Sequence, residues 1–193
     1  MTKWLSHRMV ERGIIKEEEQ ELYQFGIRNC MILLLNVVTA LVIGLLTEQL
    51  AVVAVFTLSF MVLRSYTGGY HSDSRIFCYL GSNLVLLVPV YTQAVFYKTS
   101  LARLLAVLLV SAGIIFLLSP MHSKNRKLDK EEQKHFGRKA RLIAALELAV
   151  LGILWHAGQI PYAYAVYTGI CITALFMLVG KAQLWIQSHT ENG

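Results

Sequence analysis

The sequence predicts an all-α polytopic integral membrane protein, with about six membrane-embedded helices preceded by a shorter helical segment. Hydrophobic residues make up 55% of the 193-residue chain, and the mean hydropathy is +0.52. Only 16% of the residues are charged, which is too few for the surface of a water-soluble domain of this length. The apolar residues come in long blocks without 3.6-residue spacing, so the predicted helices are apolar on all faces.

Six apolar blocks are candidate membrane helices: residues 28–46, 49–63, 76–97, 101–119, 142–157 and 161–180. A span takes about 20 residues, so the second and fifth blocks are expected to be tilted, re-entrant or extended. The loop after Pro120 is hydrophilic, and the chain is expected to re-enter a helix after Lys127 and to continue as a helix to Arg141.

The N-terminal residues 1–27 are predicted to form one or two cytoplasmic or interfacial helices, with a break at Gly13. They lack the apolar core and cleavage site of a signal peptide. Both a helix lying on the membrane surface and a soluble amphipathic flap fit this segment. Residues 181–193 form a tail, and no internal repeat stands out, so residues 1–193 are predicted to be a single domain.

The lysines and arginines predict the orientation of the chain in the membrane. If the N-terminus is cytoplasmic, sixteen of the 18 lie on cytoplasmic segments, and only Lys98 and Arg103 face outward. This positive-inside bias predicts a multi-pass protein of the bacterial cell membrane with both termini and the 64–75 loop in the cytoplasm. The formal charge of +6 then reflects topology and contact with anionic membrane lipid, and no nucleic-acid partner is needed to explain it.

A polar segment interrupts the apolar sequence between the second and third spans. It reads RSYTGGYHSDSRIFC from Arg64 to Cys78. Because polar residues at membrane depth are costly, such an interruption indicates a functional site. A histidine and a cysteine together make a thiolate nucleophile with its own general base. His71 and Cys78 are therefore the candidate catalytic pair, and the alternative interpretation is an interfacial histidine and a packing cysteine.

Two glycines give this segment its expected shape. Gly68 and Gly69 favour a tight turn or a re-entrant loop at the membrane edge. On one continuous helix, His71 and Cys78 would lie about 10 Å apart, too far for direct proton transfer. We therefore expect His71 to lie in the glycine turn, folded back toward the helix that carries Cys78. Backbone amides of the two glycines are candidate donors to an oxyanion.

Other residues of the segment are candidates to support the site. Ser72 could cap a helix that starts near Asp73 and carries Cys78 on its second turn. The N-terminus of that helix and a nearby Arg64 would both favour the thiolate over the thiol. Ser74, four residues before the cysteine, is expected either to face the site or to cap and pack the helix.

The remaining cysteines and an intramembrane glutamate have simpler interpretations. Cys30 and Cys171 lie in apolar sequence and are interpreted as small buried hydrophobic residues. Cysteines and histidines show no metal-ligand spacing, so no metal or other cofactor is predicted. Glu147 is costly in lipid and should face the protein interior, paired with Arg141 or a lysine rather than acting in catalysis.

The run from Arg64 through Gly69, Tyr70 and His71 to Cys78 resembles the signature of the accessory gene regulator B (AgrB) family of membrane cysteine endopeptidases. Length and polytopic character fit as well, so the resemblance covers nearly the whole chain. Two further stretches resemble the same family, the sequence EQELYQFG at 19–26 and the loop at 120–128.

The resemblance implies an activity. The family processes precursors of cyclic quorum-sensing peptides in Gram-positive bacteria. By this similarity, Cys78 would be the nucleophile and His71 the base, with Arg64 and Gly69 at family positions around them. Attack by Cys78 on an AgrD-type precursor peptide would release a C-terminal fragment and leave a thioester. A cysteine or serine of the captured peptide would then close a thiolactone or lactone ring.

The resemblance also suggests how the substrate is held. Such precursors generally end in a charged, often acidic tail, and a basic cytoplasmic surface could bind it. Positive-inside topology explains each of these cations equally well. The chain length is compatible with a homodimer, which the sequence does not decide. The candidate tail-binding residues are Lys124, Arg126, Lys127 and Lys130.

Two other functions remain open at this point. The chain could be a non-catalytic component of a peptide transporter or exporter, although it shows neither repeated halves nor paired broken helices. It could also be a lipid-phosphate phosphatase, because Gly-Gly-Tyr-His resembles a histidine-centred phosphate site. Neither of these functions would depend on Cys78, so replacement of that residue distinguishes them from a cysteine endopeptidase.

Overall fold

The computed structural model describes residues 2–68, 75–121 and 130–190, and within these ranges all regular secondary structure is helical. A 3₁₀ turn at Glu17–Glu19 precedes the second α-helix. The predicted all-α class is confirmed. The α-helices are α1 Thr2–Glu11, α2 Gln20–Leu46, α3 Leu50–Thr67, α4 Arg75–Tyr91, α5 Gln93–Lys98, α6 Leu101–Leu118, α7 Lys130–His156 and α8 Ile160–Thr190.

The chain divides into two compact units, one ending at Thr39 and the other beginning at Ala40. In the first unit, α1 ends in a left-handed turn at Gly13, whose φ is 67°. The Ile14 N–H donates to the Met9 carbonyl across this turn at 3.0 Å, which is a typical glycine-dependent helix end. The predicted break at Gly13 is confirmed.

The second unit is a helical bundle built around α8, which contacts α3, α4, α5, α6 and α7. Its interior contains fully buried apolar side chains such as Phe56, Leu63 and Met177. The outer surface is also apolar, and Leu109 and Leu117 are 72% and 83% exposed. A protein that exposes large leucines on several helices needs an apolar solvent, so this outer surface faces lipid.

Four helical segments of the described chain are long and apolar enough to cross a membrane. A shorter apolar helix covers Gly81–Tyr91. Together with the exposed apolar surface, they confirm the polytopic membrane class. The four segments are Glu17–Leu46, Leu50–Thr67, Leu101–Leu118 and Ile160–Ile186.

The third predicted span, 76–97, is not one continuous helix, and this expectation was wrong. The helix stops after Tyr91 and restarts as α5, with Thr92 between them at φ −95° and ψ 0°. Pro89 lies in the last turns of α4 and has no N–H, so it weakens the helix there. The Thr92 hydroxyl hydrogen-bonds the Tyr164 hydroxyl of α8, which holds the break against the bundle.

Helix α7 runs without interruption from Lys130 to His156. It includes both the helical stretch expected up to Arg141 and most of the fifth predicted span, 142–157. Glu147 lies on this helix, and its Oε2 accepts a hydrogen bond of 2.7 Å from the Ser59 hydroxyl of α3. The Arg141 Nε instead donates to the Phe116 carbonyl at 3.1 Å. The predicted pairing of Glu147 with Arg141 was therefore wrong, because a neutral hydroxyl on the facing helix is closer.

Helix α8 crosses α3 closely at Ser59, the residue that donates to Glu147, and this close crossing depends on Gly169 of α8. A Cβ at Gly169 would lie 2.5 Å from the Ser59 Oγ and 3.2 Å from the Ser59 Cβ. Gly169→Ala is therefore expected to displace the Ser59 hydroxyl from Glu147 or to separate the helices. The overpacking should cost about 1–2 kcal/mol and lower the thermal unfolding midpoint of the detergent-solubilised protein.

A matched control for this change is Gly113→Ala on α6, where a Cβ would have no atom within 4 Å. This variant should unfold at or slightly above the wild-type midpoint, because alanine is the better helix former. Equal midpoints for the Gly169 and Gly113 variants would contradict the role assigned to Gly169.

Candidate active site

The polar segment begins at a glycine that the backbone requires. Helix α3 ends at Thr67, and the chain leaves it through Gly68 with φ 73° and ψ −155°. Residues with a Cβ almost never adopt this conformation. A Cβ at Gly68 would also lie 2.7 Å from the carbonyl oxygen of Met121. Gly68, predicted to form a turn, is thus required both by its conformation and by a close backbone approach.

A backbone hydrogen bond joins the end of α3 to the segment that follows α6. The Met121 N–H donates to the Thr67 carbonyl at 2.9 Å, and the Thr67 side chain is fully buried. The last carbonyls of a helix have no partner inside it, so Met121 satisfies one of them. Met121 therefore fixes the point from which the chain departs toward His71.

Cys78 lies in the first described turn of α4, which begins at Arg75. The expectation of a helix start near Asp73, with the cysteine on the second turn, concerns residues outside those described. The first-turn amides of a helix have no intrahelical acceptors and carry partial positive charge, so this position favours an anion. His71, Gly69 and Ser74 also lie outside the described residues.

Arg64 lies in the last turn of α3, one turn before Gly68. Its guanidinium lies over the Phe176 ring of α8, 4.8 Å from the ring centroid, and 5.9 Å from the Phe60 ring centroid. Stacking on aromatic faces holds a guanidinium in a partly apolar environment. Arg64 is thus a half-buried positive charge at the same end of the bundle as Gly68, which we call the Gly68 end.

The end of α6 is tied to α7 by an arginine. Pro120 has no N–H to donate to the Phe116 carbonyl four residues earlier, and the Arg141 Nε supplies that hydrogen bond. Gly137 allows the close packing, because a Cβ there would lie 2.9 Å from the Pro120 Cδ. Pro120 and Gly137 together bring the first turns of α7 to the Gly68 end.

The predicted basic surface is described only in part. Lys124, Arg126 and Lys127 lie outside the described residues, and Lys130 is the first residue of α7. Sequence reasoning overlooked the cations that follow on that helix. Lys134, Arg138 and Arg141 line a groove of about 420 Å³ beside Ser119 and Pro120. The sequence signal that could have identified them is their i, i+4 and i, i+3 spacing, which places them as neighbours on the surface of one helix.

The other two cysteines lie in different environments. Cys171 is partly buried on α8, where its thiol contacts the Ser111 and Tyr167 side chains. Cys30 is exposed on α2, so its interpretation as a buried residue was wrong. Apolar sequence does not distinguish a protein core from a lipid-facing surface, because both exclude water.

Possible metal ligands are dispersed in the described ranges. No group of three or more histidine, cysteine, aspartate or glutamate residues comes together there. The absence of a metal or other cofactor stays a prediction.

The fold and the site define the class: an all-α polytopic membrane protein with a glycine turn and a cysteine-bearing helix at one edge of its bundle. The family model for accessory gene regulator B (AgrB) matches residues 1–178. The chain belongs to the AgrB family, whose members take part in processing the quorum-sensing peptide of the accessory gene regulator system.

Two relatives from Clostridium perfringens support this membership. The "Putative AgrB-like protein" of strain SM101 is 23% identical over 148 residues, covering 74% of this chain and 69% of the relative. The "Putative AgrB-like protein 2" of strain 13 is 25% identical over 151 residues, with the same two coverages of 74% and 69%. No solved structure matches the chain.

Proposed function

We propose that this protein is a membrane cysteine endopeptidase that cleaves an AgrD-type precursor peptide and cyclises the part it retains. Cys78 is the nucleophile and His71 the general base. The observation that carries the proposal is the position of Cys78 in the first described turn of α4, seven residues after His71 and ten after Gly68, where α3 ends. A helix N-terminus favours the thiolate that the reaction needs.

The connection between the helices limits how far the base can lie from the nucleophile. Arg75 follows His71 by four residues, and a fully extended chain of four steps spans about 14 Å. The Gly68 turn and the Met121 hydrogen bond fix the other end of this connection. His71 therefore needs only to fold back from the glycine turn to reach the Cys78 thiol.

The reaction proceeds by two acyl transfers. His71 takes the thiol proton as the Cys78 sulfur bonds to the carbonyl carbon of the scissile peptide, and the C–N bond then breaks. The leaving amine takes the proton from His71, and the N-terminal part remains as a thioester on Cys78. A cysteine or serine of that peptide next attacks the thioester carbonyl, loses its proton to His71 and closes the ring. The proton returns to the Cys78 sulfur.

The energetics of the reaction and the charge at the Gly68 end both fit the proposal. Exchange of a thioester for a thiolactone roughly conserves bond energy, so ATP is not required, and partial shielding from water favours the internal nucleophile over hydrolysis. Arg64 supplies fixed positive charge at this end. Gly68 and Gly69 amides are candidate oxyanion donors, and Ser74 is a candidate to position the nucleophile.

The charge distribution supports a cytoplasmic site. Lys134, Arg138 and Arg141 lie at the Gly68 end, whereas Lys98 and Arg103 flank the short turn between α5 and α6. By the positive-inside rule, the Gly68 end and both chain termini face the cytoplasm of a bacterial cell membrane. An acidic precursor tail would meet Lys124, Arg126, Lys127 and Lys130 there.

Co-expression with an AgrD-type precursor and mass spectrometry of all peptide products test the proposed function. We expect a free C-terminal fragment and an N-terminal product one water lighter than its linear form, as ring closure requires. Cells that express the precursor alone provide the control. An intact precursor in both samples, with the membrane protein folded, would favour a non-catalytic transport component.

His71 has a separate test with two readouts, and the second of them needs no precursor. His71→Ala should slow cleavage by roughly 10²–10⁴-fold, the usual contribution of a general base. It should also shift alkylation of Cys78 by iodoacetamide to higher pH, because the thiolate loses its partner. His135→Ala, in the described part of α7, is the matched control. An unchanged alkylation profile for His71→Ala would remove His71 from the role of base.

A further inference from the structure

The groove at the N-terminal part of α7 has a feature that peptide cleavage does not require. Two of its cations lie on a face of α7 that is charged near the start of the helix and apolar farther along it. Lys134, Arg138, Leu142 and Leu146 follow one another at i, i+4 spacing, and all four are exposed. Residues at this spacing share one face of a helix. The face is thus cationic for one turn and apolar for the next.

The groove itself has the dimensions of a small-ligand site. It encloses about 420 Å³ between Ser119–Pro120 and α7, and Arg141 also lines it. The Arg141 Nε is already bonded to the Phe116 carbonyl, so the guanidinium is held in place while its terminal nitrogens keep donors for a ligand. A fixed guanidinium beside two further cations suits an anionic oxygen cluster.

The described carboxylates leave these cations uncompensated. Lys134, Arg138 and Arg141 form no ion pair with a carboxylate whose side chain the structure describes. Glu131, the described carboxylate nearest in sequence, lies outside salt-bridge distance of Lys134. Three cations that border one groove and repel each other indicate a site for an anion.

Exposed leucines follow the groove-lining residues along α7 and precede them along α6. Leu142 and Leu146 are 60% and 57% exposed on α7, and Leu117, three residues before Pro120, is 83% exposed on α6. One helical turn of about 5.4 Å separates the cationic part of this face from the apolar part. That distance is comparable to the thickness of the headgroup region of one membrane leaflet, about 5–7 Å, which separates the phosphate groups from the hydrocarbon core.

We propose that this groove binds the phosphodiester headgroup of an anionic phospholipid, with its acyl chains along Leu117, Leu142 and Leu146. Basic pockets between membrane helices on the cytoplasmic side are suited to such headgroups. A free phosphate or an acidic peptide would use the same cations but would gain nothing from the leucines. The lipid site does not depend on Cys78 or His71, so it stands apart from the proposed peptidase activity.

The test is native mass spectrometry of the full-length protein in detergent, titrated with phosphatidylglycerol or phosphatidylcholine. We expect the wild type to bind phosphatidylglycerol at least tenfold more tightly than phosphatidylcholine. Lys134→Gln/Arg138→Gln should weaken phosphatidylglycerol binding by roughly 25-fold, about fivefold per cation removed, and leave phosphatidylcholine unchanged. Lys134→Arg, which keeps the charge, should bind like the wild type and confirms that loss of charge causes the effect.

The matched control removes two cations that lie outside the groove. Lys98→Gln/Arg103→Gln changes the net charge equally and should leave phosphatidylglycerol binding intact. Equal weakening in both double variants would overturn the site and indicate a general charge effect. So would equal binding of the two lipids by the wild type.

Competition distinguishes the other anions. Inorganic phosphate and a hexaglutamate peptide are added in turn to the complex with phosphatidylglycerol. The lipid should remain bound in a large excess of either. Displacement by phosphate would make the groove a soluble-phosphate site, and displacement by the peptide would make it a carboxylate site. Either displacement contradicts the lipid assignment.

Discussion

Cys78→Ala is expected to abolish cleavage of the precursor, with release of the C-terminal fragment falling by at least about a thousandfold, to background. The reason is chemical, because alanine offers no atom that can take the acyl group. Cys78→Ser should fall nearly as far, since a hydroxyl is far less ionised than a thiol at neutral pH. Quantitative mass spectrometry of the released fragment measures both.

The chain supplies matched controls for this change. Cys171→Ala removes a thiol of the same size that contacts Ser111 and Tyr167 inside the bundle, and Cys30→Ala removes an exposed thiol of α2. Both should keep near wild-type cleavage, because neither cysteine belongs to the segment from Arg64 to Cys78 that carries the candidate site. Cleavage that survives Cys78→Ala, or that disappears in Cys171→Ala with the fold intact, would contradict Cys78 as the nucleophile.

Gly68→Ala is expected to have the second-largest effect, by displacing the turn that leads to His71. A Cβ there would be forced into a conformation that is nearly exclusive to glycine and would lie 2.7 Å from the Met121 carbonyl oxygen. Relief of the clash requires movement of backbone, because Met121 is itself bonded to Thr67. We expect a stability loss of about 2–3 kcal/mol and a fall in cleavage of a hundredfold or more.

Gly158→Ala separates backbone strain from displacement of the turn. Gly158 also has φ 73°, but a Cβ there would have no atom within 4 Å, and it lies between α7 and α8, away from the Gly68 end. This variant should lose some stability and keep cleavage near the wild-type rate. Loss of cleavage in proportion to stability for both glycine variants would mean that Gly68 has a structural role only.

The sequence was sufficient to predict the fold class because bilayer solvation leaves a strong compositional signal. Four of the six apolar blocks correspond to described helical segments that are long and apolar enough to cross a membrane. The cationic stretch before Arg141 is helical, as expected, and it is continuous with the fifth block. Pro89 indicates a weakened helix near Thr92, but the hydrogen bond to Tyr164 that holds the break, 72 residues away, was not predictable. Hydropathy is local, whereas that contact is tertiary.

Prediction of the site was limited in the same way. The glycine pair identified a turn, but the reason that Gly68 must be glycine is the carbonyl of Met121, which lies beyond three helices. Glu147 was correctly recognised as costly in lipid, yet its partner Ser59 is 88 residues away and is a neutral side chain. Opposite charge nearby in the sequence favoured Arg141 as the partner of Glu147. Arg141 instead donates to the Phe116 carbonyl, which Pro120 leaves without a partner because it has no N–H.

The most direct test of the proposed function is the intact mass of the protein after brief incubation with precursor in lipid vesicles and acid quenching. We expect a covalent adduct whose mass equals the precursor minus its C-terminal fragment, located on the peptide that contains Cys78 and released by hydroxylamine, as a thioester is. Release of the C-terminal fragment without this adduct, or an adduct on another residue, would contradict an acyl-enzyme at Cys78.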